Sequence, residues 1–359
     1  MNQKFTGIQI LRFVAAMLVV VMHLTQAISI HITGGGPSEY WAAGSSGVDI
    51  FFVISGFVMA ASTGPSPAAV RARIQAAWVF LKRRFLRIVP LYWFYTLAKA
   101  ALLVALPGLA SRSSIDPGHL TASLLFIPAM SPWGFVEPTL PVGWTLNFEM
   151  LFYGVFALAI AFGLPRIRFC LLALLAVFLA GRYFHQVIPL AFYAQTIVFE
   201  FVLGVCIAFY LSRFGTMPVV AGGLAIGMGL LLMFGIDWSA SADRLFAWGG
   251  AAALLLLGAL WLEPWTARIR LLAPLSFLGD ASYSIYLSHT FVVPAGVIAL
   301  NKMGFQNMMI VVPTVLLAVI ASGGASYVWI ERPMTRLLKR ALFKTPAPSF
   351  QNREAHHAK

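Results

Sequence analysis

One apolar run near the start of the chain carries two ionisable side chains. Residues 8–28 are long enough to span a bilayer as a helix, and they include Arg12 and His23. At about 100° per residue, these side chains fall within roughly 20° of each other and lie about 16 Å apart along the helix. An imidazole can act as a general base and a guanidinium can bind an anion. This polar stripe from Arg12 to His23 equally fits an arginine that reaches the lipid headgroups and a histidine that forms a hydrogen bond with a neighbouring helix.

A basic cluster precedes the third apolar run, in KRRFLRIVPLYW. Arg84 and Arg87 are three residues apart and therefore share a helix face, and Arg83 flanks them. Guanidinium groups bind phosphates bidentately, which suits a phosphate-bearing ligand. Positive charge also holds a loop on the cytoplasmic side of a membrane. The cluster therefore indicates either a phosphate site or a topology signal.

Carboxylates occur in three further apolar runs. Asp49 lies near the start of the second run, and Glu149 lies near the start of the fourth, four residues before Tyr153 on the same face. Because their depths resemble that of His23, we expect the three ionisable groups to meet in one outward cavity, where a carboxylate would raise the basicity of the imidazole. Asp49 could instead cap its helix. Glu200, in the sixth run, needs a buried partner.

A polar and aromatic face is predicted in the ninth apolar run. Tyr283, Tyr286 and His289 recur every three residues in FLGDASYSIYLSHTF, so they share one helix face. This face could line a substrate passage, or the tyrosines could simply pack with satisfied hydroxyl groups. The long connection at 108–142 is rich in Pro, Gly, Ser and Trp. We expect it to form a lid over the outward cavity or to lie on the surface.

The composition indicates which kind of fold must position these residues. Hydrophobic residues make up 60% of the 359 positions and charged residues 10%, whereas about 25% of a soluble domain is charged. The sequence therefore predicts an all-α, polytopic integral membrane protein with about ten transmembrane helices. The apolar runs are 8–28, 47–63, 88–107, 143–163, 167–184, 190–211, 217–235, 244–262, 275–298 and 309–330.

The positive charges predict the orientation of the chain. With the N-terminus inside, most Lys and Arg residues fall in cytoplasmic loops. The exceptions are Arg112, Arg182, Arg244 and Lys302. The net charge of +13 then reflects this bias and an affinity for anionic lipid, so no nucleic-acid partner is invoked. We expect both termini in the cytoplasm, one transmembrane domain over residues 1–340, and a basic, disordered tail over residues 341–359.

Six stretches together resemble the membrane acyltransferase 3 family. They occur in the family's order over about residues 8–340, and they are LRFVAAMLVVVMH, GVDIFFVISGFVM, RRFLRIVPLYW, GWTLNFEMLFY, FLGDASYSIYLSH and ERP. Each is weak alone, but together they are specific. GWTLNFEMLFY is most similar to the branch associated with exopolysaccharide production. Many other members have two adjacent acids where this chain has Glu149 and Met150, so a mechanism that needs a carboxylate pair there is not expected.

The resemblance implies an O-acyltransferase of the bacterial inner (cytoplasmic) membrane. Such enzymes move an acyl group, usually acetyl from acetyl-CoA, to a sugar hydroxyl of an exopolysaccharide or related envelope glycan. By the family pattern, Arg12 and His23 are functional, with His23 as the catalytic base, and Arg84 and Arg87 bind the acyl donor. Acetyl-CoA is the expected co-substrate, and no metal is expected. The expected partners are membrane lipid, a saccharide or lipid-linked oligosaccharide acceptor, and polysaccharide biosynthesis machinery.

The family pattern and the charge pattern together predict three groups of site residues. The catalytic group is His23, Asp49 and Glu149. The donor-binding group is Arg12, Arg83, Arg84 and Arg87. The substrate-binding group is Tyr153, Tyr286 and His289.

Two other functions are compatible with the same residues. Ionisable groups inside a membrane also mark transport pathways, so a transporter or flippase for a glycolipid or polysaccharide unit is the main alternative. A non-catalytic assembly protein of a polysaccharide synthase is the other. The concentration of acid–base groups around His23, the cytoplasmic arginine pair and the lack of a visible inverted repeat favour the enzyme.

Overall fold

The structure is a computed structural model that describes residues 5–36, 40–105, 115–235 and 243–343, and within them every regular element is a helix. The α-helices are α1 Thr6–Ile28, α2 Ser46–Ala61, α3 Val70–Ala105, α4 Pro117–Leu124, α5 Trp144–Phe162, α6 Arg166–Tyr183, α7 Ile188–Tyr193, α8 Glu200–Phe214, α9 Val219–Phe234, α10 Gly250–Trp261, α11 Glu263–Thr266, α12 Ala273–Asp280, α13 Ser282–Lys302, α14 Met308–Ser326 and α15 Arg332–Leu342. π-Helical turns extend α1 over Ser29–Thr33, lead into α10 over Leu245–Gly249, and join α14 to α15 over Tyr327–Glu331. The predicted all-α class is confirmed.

The described helices include seven that are long and apolar enough to cross a membrane. They are Thr6–Thr33, Ala42–Ala61, Val70–Ala105, Pro141–Phe162, Thr196–Phe214, Ser282–Lys302 and Met308–Leu342. The remaining predicted runs hold α6 and two shorter apolar helices, Val219–Phe234 and Leu245–Trp261. A multi-pass membrane protein is thus supported, while the count of ten crossings and the cytoplasmic termini stay predictions.

Several element boundaries differ from those the sequence predicts. α3 begins at Val70, so Pro90 and the basic cluster lie within a long helix and not at its entry. Lys and Arg are strong helix formers, which lets this helix continue beyond its apolar part. The run predicted at 190–211 is broken after Tyr193, and α15 continues to Leu342, two residues into the predicted tail. Of the predicted disordered tail, residues 344–359 lie outside the described residues.

α1 lies inside the bundle, where it contacts α2, α10, α12 and α13. Its first turn is capped from a distance, because the Glu263 carboxylate accepts hydrogen bonds from the backbone N–H groups of Thr6 (2.7 Å) and Gly7 (2.8 Å). Such a cap satisfies amides that have no partner within the helix, and its negative charge suits the positive end of the helix dipole. The cap and the surrounding helices fix the rotation of α1, and so they fix where Arg12 and His23 point.

α2 crosses α8 at very short range through two glycines. A Cβ atom on Gly56 would lie 2.0 Å from the Phe201 carbonyl oxygen, and one on Gly204 would lie 2.0 Å from the Val53 carbonyl oxygen. Small residues allow helix backbones to approach this closely in a membrane. Gly56 and Gly204 therefore act as packing residues at this helix crossing.

We expect Gly56→Ala to destabilise the protein by about 1–3 kcal/mol, because the added methyl group forces α2 and α8 apart. Gly154→Ala is the matched control, since nothing lies within 4 Å of a Cβ at that helical position. Removing a helical glycine there should be neutral or stabilise by up to about 1 kcal/mol. Thermal unfolding of both variants in the same detergent measures the difference, and equal midpoints would contradict the close crossing.

Candidate active site

A cavity of about 520 Å³ lies between α1, α2, α3, α5 and α13. Its volume falls in the usual range for small-molecule and cofactor sites. Along α2 it extends from Val48 to Ser62, which corresponds to about 20 Å of helix. Phe51, which also lines it, packs against all three apolar clusters of the protein. The cavity thus sits where the main packing units of the bundle meet.

The mouth of the cavity carries three guanidinium groups, those of Arg12, Arg84 and Arg87. Arg87 and the neighbouring Ser62 are exposed, which places the opening at this end. Arg84 donates a hydrogen bond to the Ser62 hydroxyl (2.8 Å), and Arg12 interacts electrostatically with Arg87. Like charges held together favour a multivalent anion such as a phosphate group.

Glu331 supplies counter-charge at this end of the molecule. Its carboxylate interacts electrostatically with both Arg12 and Arg87, and it accepts a hydrogen bond of 2.6 Å from the Ser284 hydroxyl. Glu331 begins the ERP motif, to which the sequence alone assigned no role. The structure places that motif within electrostatic range of the arginine cluster, where its negative charge offsets part of the positive charge.

Glu149 lies in the middle of the cavity and accepts two hydrogen bonds on one oxygen. The Ser55 hydroxyl is 3.0 Å from Glu149 Oε1, and the Tyr153 hydroxyl donates to the same atom at very short range. Arg84 interacts electrostatically with Glu149. The carboxylate is therefore held by α2 and α5 together, facing a ligand that enters from the arginine end.

Tyr286 closes the inner end of the cavity. Its hydroxyl donates a hydrogen bond to the Val142 carbonyl (3.0 Å) and lies 3.0 Å from Thr145 Oγ1. Tyr283, one turn earlier on α13, also lines the cavity and donates to the Ile88 carbonyl (2.9 Å). The predicted polar face of α13 does turn into the bundle.

His23 lies beyond the cavity, against His289. The centroids of the two imidazole rings are 5.0 Å apart, and His289 lies 5.9 Å from the ring of Tyr286. His23 Nδ1 is 3.0 Å from the Val19 carbonyl oxygen. Because a carbonyl oxygen can only accept, Nδ1 carries the proton in the neutral ring and Nε2 keeps a free lone pair. This is the protonation state that a general base requires.

Asp49 pairs with Arg244 and not with His23, next to which it was expected. Arg244 grips its carboxylate with two hydrogen bonds of 2.9 and 2.7 Å, and the Arg244 side chain also lies over the ring of Trp248. Glu200 is fully buried and interacts electrostatically with both Asp49 and Arg244. The three groups form a cluster that joins α2, α8 and the π-helical turn before α10.

We expect Arg244→Ala to lower the free energy of unfolding by about 3 kcal/mol, because it leaves the buried Asp49 carboxylate without its cation. Arg182→Ala is the control, since Arg182 is exposed. The measurement is chemical or thermal unfolding of the purified protein, followed by tryptophan fluorescence. A midpoint equal to that of the control would show that the ion pair contributes nothing.

The structure brings together six of the ten predicted site residues in one cavity. They are Arg12, Arg84, Arg87, Glu149, Tyr153 and Tyr286. His23 and His289 lie next to Tyr286, while Asp49 lies with Arg244 and Arg83 is exposed outside the cavity lining. His23, Asp49 and Glu149 thus do not share a cavity in the described part of the chain, contrary to the expected arrangement.

The structure describes the connection before α5 from residue 115 onward. α3 holds it through Tyr92, whose hydroxyl donates to the Ser123 carbonyl (3.1 Å), and through Trp93, whose ring N–H donates to the Leu124 carbonyl (2.8 Å). Residues 140, 142 and 143 are buried, and Val142 accepts the hydrogen bond from Tyr286. The described part of the predicted lid therefore covers the inner end of the cavity.

The family of the chain follows from a comparison with protein-family models. The model Acyl_transf_3, described as an acyltransferase domain, matches residues 5–327. The chain belongs to this acyltransferase 3 family. The matched range includes the whole cavity lining and both histidines.

Curated relatives of this acyltransferase 3 protein carry related names. It is 37% identical over 83% of its length to the exopolysaccharide production protein ExoZ of Rhizobium meliloti, 92% of which is covered. It is 26% identical to the acyltransferase MdmB of Streptomyces mycarofaciens, over 96% of this chain and 95% of MdmB. It is 28% identical to BcsY of Komagataeibacter xylinus, provisionally named a membrane-bound transacylase, over 80% of this chain and 76% of BcsY. No solved structure matches.

Membership in the acyltransferase 3 family makes the chain an acyltransferase. Sequence reasoning identified the arginines that line the cavity and the histidines beside it, but it did not single out Ser55, Ser62 or Thr145 as site residues. No pattern in the sequence marks these hydroxyl groups, because each faces the cavity only through the relative rotation of its helix. The position of Ser55 next to Gly56 at a close helix crossing is the one available signal.

Proposed function

We propose that this acyltransferase moves an acetyl group from acetyl-CoA to a sugar hydroxyl of a bacterial exopolysaccharide or related envelope glycan. The names of two relatives support this proposal, since one is an exopolysaccharide production protein and another a membrane-bound transacylase. The main observation in its support is that the two ends of the cavity differ in chemical character. Its mouth holds three guanidinium groups, and its inner end lies beside two contacting imidazoles.

The donor binds with its phosphates at the mouth, on Arg12, Arg84 and Arg87. Guanidinium pairs hold phosphate oxygens with strong, charge-assisted hydrogen bonds. The uncharged arm of the donor extends inward past Glu149, whose carboxylate can accept a hydrogen bond from an amide of that arm. The thioester then lies near Tyr286, at the end of the cavity closest to the histidines.

The acceptor hydroxyl is activated at His23. Nε2 of the neutral ring takes the hydroxyl proton as the sugar oxygen forms a bond to the acyl carbon. The bond from that carbon to the CoA sulfur then breaks, and the proton held on His23 is given to the departing CoA thiolate. His289 packs against His23 and orients its ring. In this proposal the ion pair between Asp49 and Arg244 holds α2 in place, and Glu149 and Tyr153 bind the donor.

The proposed setting is the bacterial inner membrane, with both termini in the cytoplasm. In that orientation the arginine mouth faces cytoplasmic acetyl-CoA, and the His23 end faces the exported acceptor. A lipid-linked oligosaccharide or a growing polymer is the acceptor, and the polysaccharide biosynthesis machinery would deliver it. The basic helix α15, at the same end as the mouth, meets anionic lipid.

The decisive experiment measures O-acyl groups on the polymer. A strain lacking the gene is complemented with wild type, His23→Ala or the exposed-histidine control His185→Ala at matched membrane expression, and purified polymer is analysed by NMR. Loss of the ester only with His23→Ala, at preserved polymer yield, supports the proposal. Loss of polymer with residual chains still acylated would favour a transporter or flippase, and an unchanged ester would favour an assembly protein.

A further inference from the structure

Tyr286 forms the wall at the inner end of the cavity, and its neighbours fix its position. Tyr286 is only 6% exposed, and its hydroxyl contacts both the Val142 carbonyl and Thr145 Oγ1 at 3.0 Å. Val142 and Thr145 are themselves buried. Phe51 packs edge-to-face on the ring of Tyr286, with centroids 5.9 Å apart. The ring is therefore held on its hydroxyl side by two polar contacts and on another side by an aromatic neighbour.

Most of the surface at this end of the cavity is apolar, and the Thr145 hydroxyl, which also lines it, is engaged by the Val142 carbonyl and the Tyr286 hydroxyl. Val48 and Leu146 line the same end and are 5% and 4% exposed. Among the described lining residues, the charged side chains are Arg12, Arg84, Arg87 and Glu149, which lie toward the mouth and the middle. The charge distribution favours one direction for an elongated ligand with an anionic end and an apolar end, with the anionic end on the arginines and the apolar group against Tyr286.

Because Tyr286 blocks the apolar end of the cavity, the position of the reacting carbonyl depends on the length of the acyl chain. His289 lies beside Tyr286, with ring centroids 5.9 Å apart, and His23 contacts His289, so the reacting carbonyl must lie at this end of the cavity to meet a hydroxyl activated at His23. Each additional methylene between the carbonyl and the wall pushes the carbonyl back toward the mouth. Reacting atoms must be aligned closely for transfer, so even a small displacement of the carbonyl lowers the rate of transfer.

We propose that Tyr286 is a specificity-determining residue that limits the transferred acyl group to short chains. This inference rests on the proposed function, since it assumes an acyl-CoA donor in this cavity. It predicts that a smaller side chain at the wall extends the apolar end and admits longer acyl groups. Leu146, buried at the same end, should act in the same way when it is shortened.

The test compares acetyl-, butyryl- and hexanoyl-CoA as donors for the purified full-length enzyme in lipid nanodiscs. The acceptor is polysaccharide from the strain that lacks the gene, and release of the CoA thiol reports transfer. We expect wild type to favour acetyl-CoA, and we expect Tyr286→Ala and Leu146→Ala each to shift the acetyl-to-hexanoyl ratio of kcat/KM by about tenfold or more toward the longer donor. Tyr286→Phe keeps the ring and is the matched control, with its ratio close to that of wild type.

Three results would overturn the inference. One is a preference of the wild-type enzyme for hexanoyl-CoA. Another is an unchanged ratio in both alanine variants when their unfolding midpoints show that they are folded. The third is a shift in Tyr286→Phe as large as that in Tyr286→Ala, which would assign the effect to the hydroxyl and not to the wall. If no acyl-CoA supports transfer by wild type, the donor assignment of the proposed function fails, and the inference fails with it.

Discussion

Replacing His23 with alanine is expected to lower kcat for acyl transfer by about 10²–10⁴-fold, the usual contribution of a general base. The KM for acetyl-CoA should stay close to the wild-type value, because His23 lies outside the cavity that holds the donor in this proposal. A loss confined to kcat identifies an interaction that matters in the transition state. Initial rates of thiol release, with purified polymer as acceptor, measure both constants.

Two further variants separate a chemical role of His23 from a packing role. His185→Ala removes an exposed imidazole and should leave both constants unchanged. His23→Gln keeps a polar side chain of similar size but cannot accept and release a proton in the same way, so it should be as slow as His23→Ala. Recovery of more than half of the wild-type kcat in the glutamine variant would rule out general-base catalysis by this residue.

Replacing Arg84 with alanine is expected to raise the KM for acetyl-CoA by about 10–100-fold, because one or two charge-assisted hydrogen bonds to phosphate are lost. kcat should fall much less than in the His23 variants. Arg84→Lys should recover only part of the affinity, since an ammonium group cannot form the planar, bidentate contact. Binding of CoA itself, followed by isothermal titration calorimetry, gives the same comparison without turnover.

The control for Arg84 is another arginine of the same helix. Arg71 is exposed near the start of α3, and Arg71→Ala should leave the donor KM unchanged. Raising the salt concentration should weaken donor binding to wild type more than to Arg84→Ala, because fewer charges contact the phosphates in the variant. Equal donor affinity in wild type and Arg84→Ala would contradict a phosphate site at the mouth.

Local patterns predicted the parts of the site that depend on a single helix. Arg84 and Arg87 line the cavity together because they are three residues apart, and Arg83 is exposed because it is turned about 100° from Arg84. In the same way, the stripe from Arg12 to His23 faces the interior of the bundle. Hydropathy located the apolar runs, since long apolar segments have few alternatives to a buried or membrane-spanning helix.

Contacts between helices could not be predicted in this way. Asp49 and His23 belong to neighbouring helices, but the rotation of α2 turns the carboxylate toward Arg244, which is 195 residues away in sequence. Ser55 reaches Glu149 across 94 residues, and His23 meets His289 from the opposite end of the chain. A sequence defines the faces of each helix, whereas the partner of each face is chosen by packing across the whole bundle.

The long-range cap on α1 also bears on how the protein is made. Thr6 and Gly7 obtain their hydrogen-bond acceptor only when Glu263 is present, 256 or 257 residues later in the chain. The cavity likewise needs Tyr283 and Tyr286 from α13. α1 is synthesised before Glu263, so its first-turn amides lack this acceptor until the later part of the chain has been inserted. Truncation anywhere before α13 would remove Tyr283 and Tyr286 and leave the cavity lining incomplete.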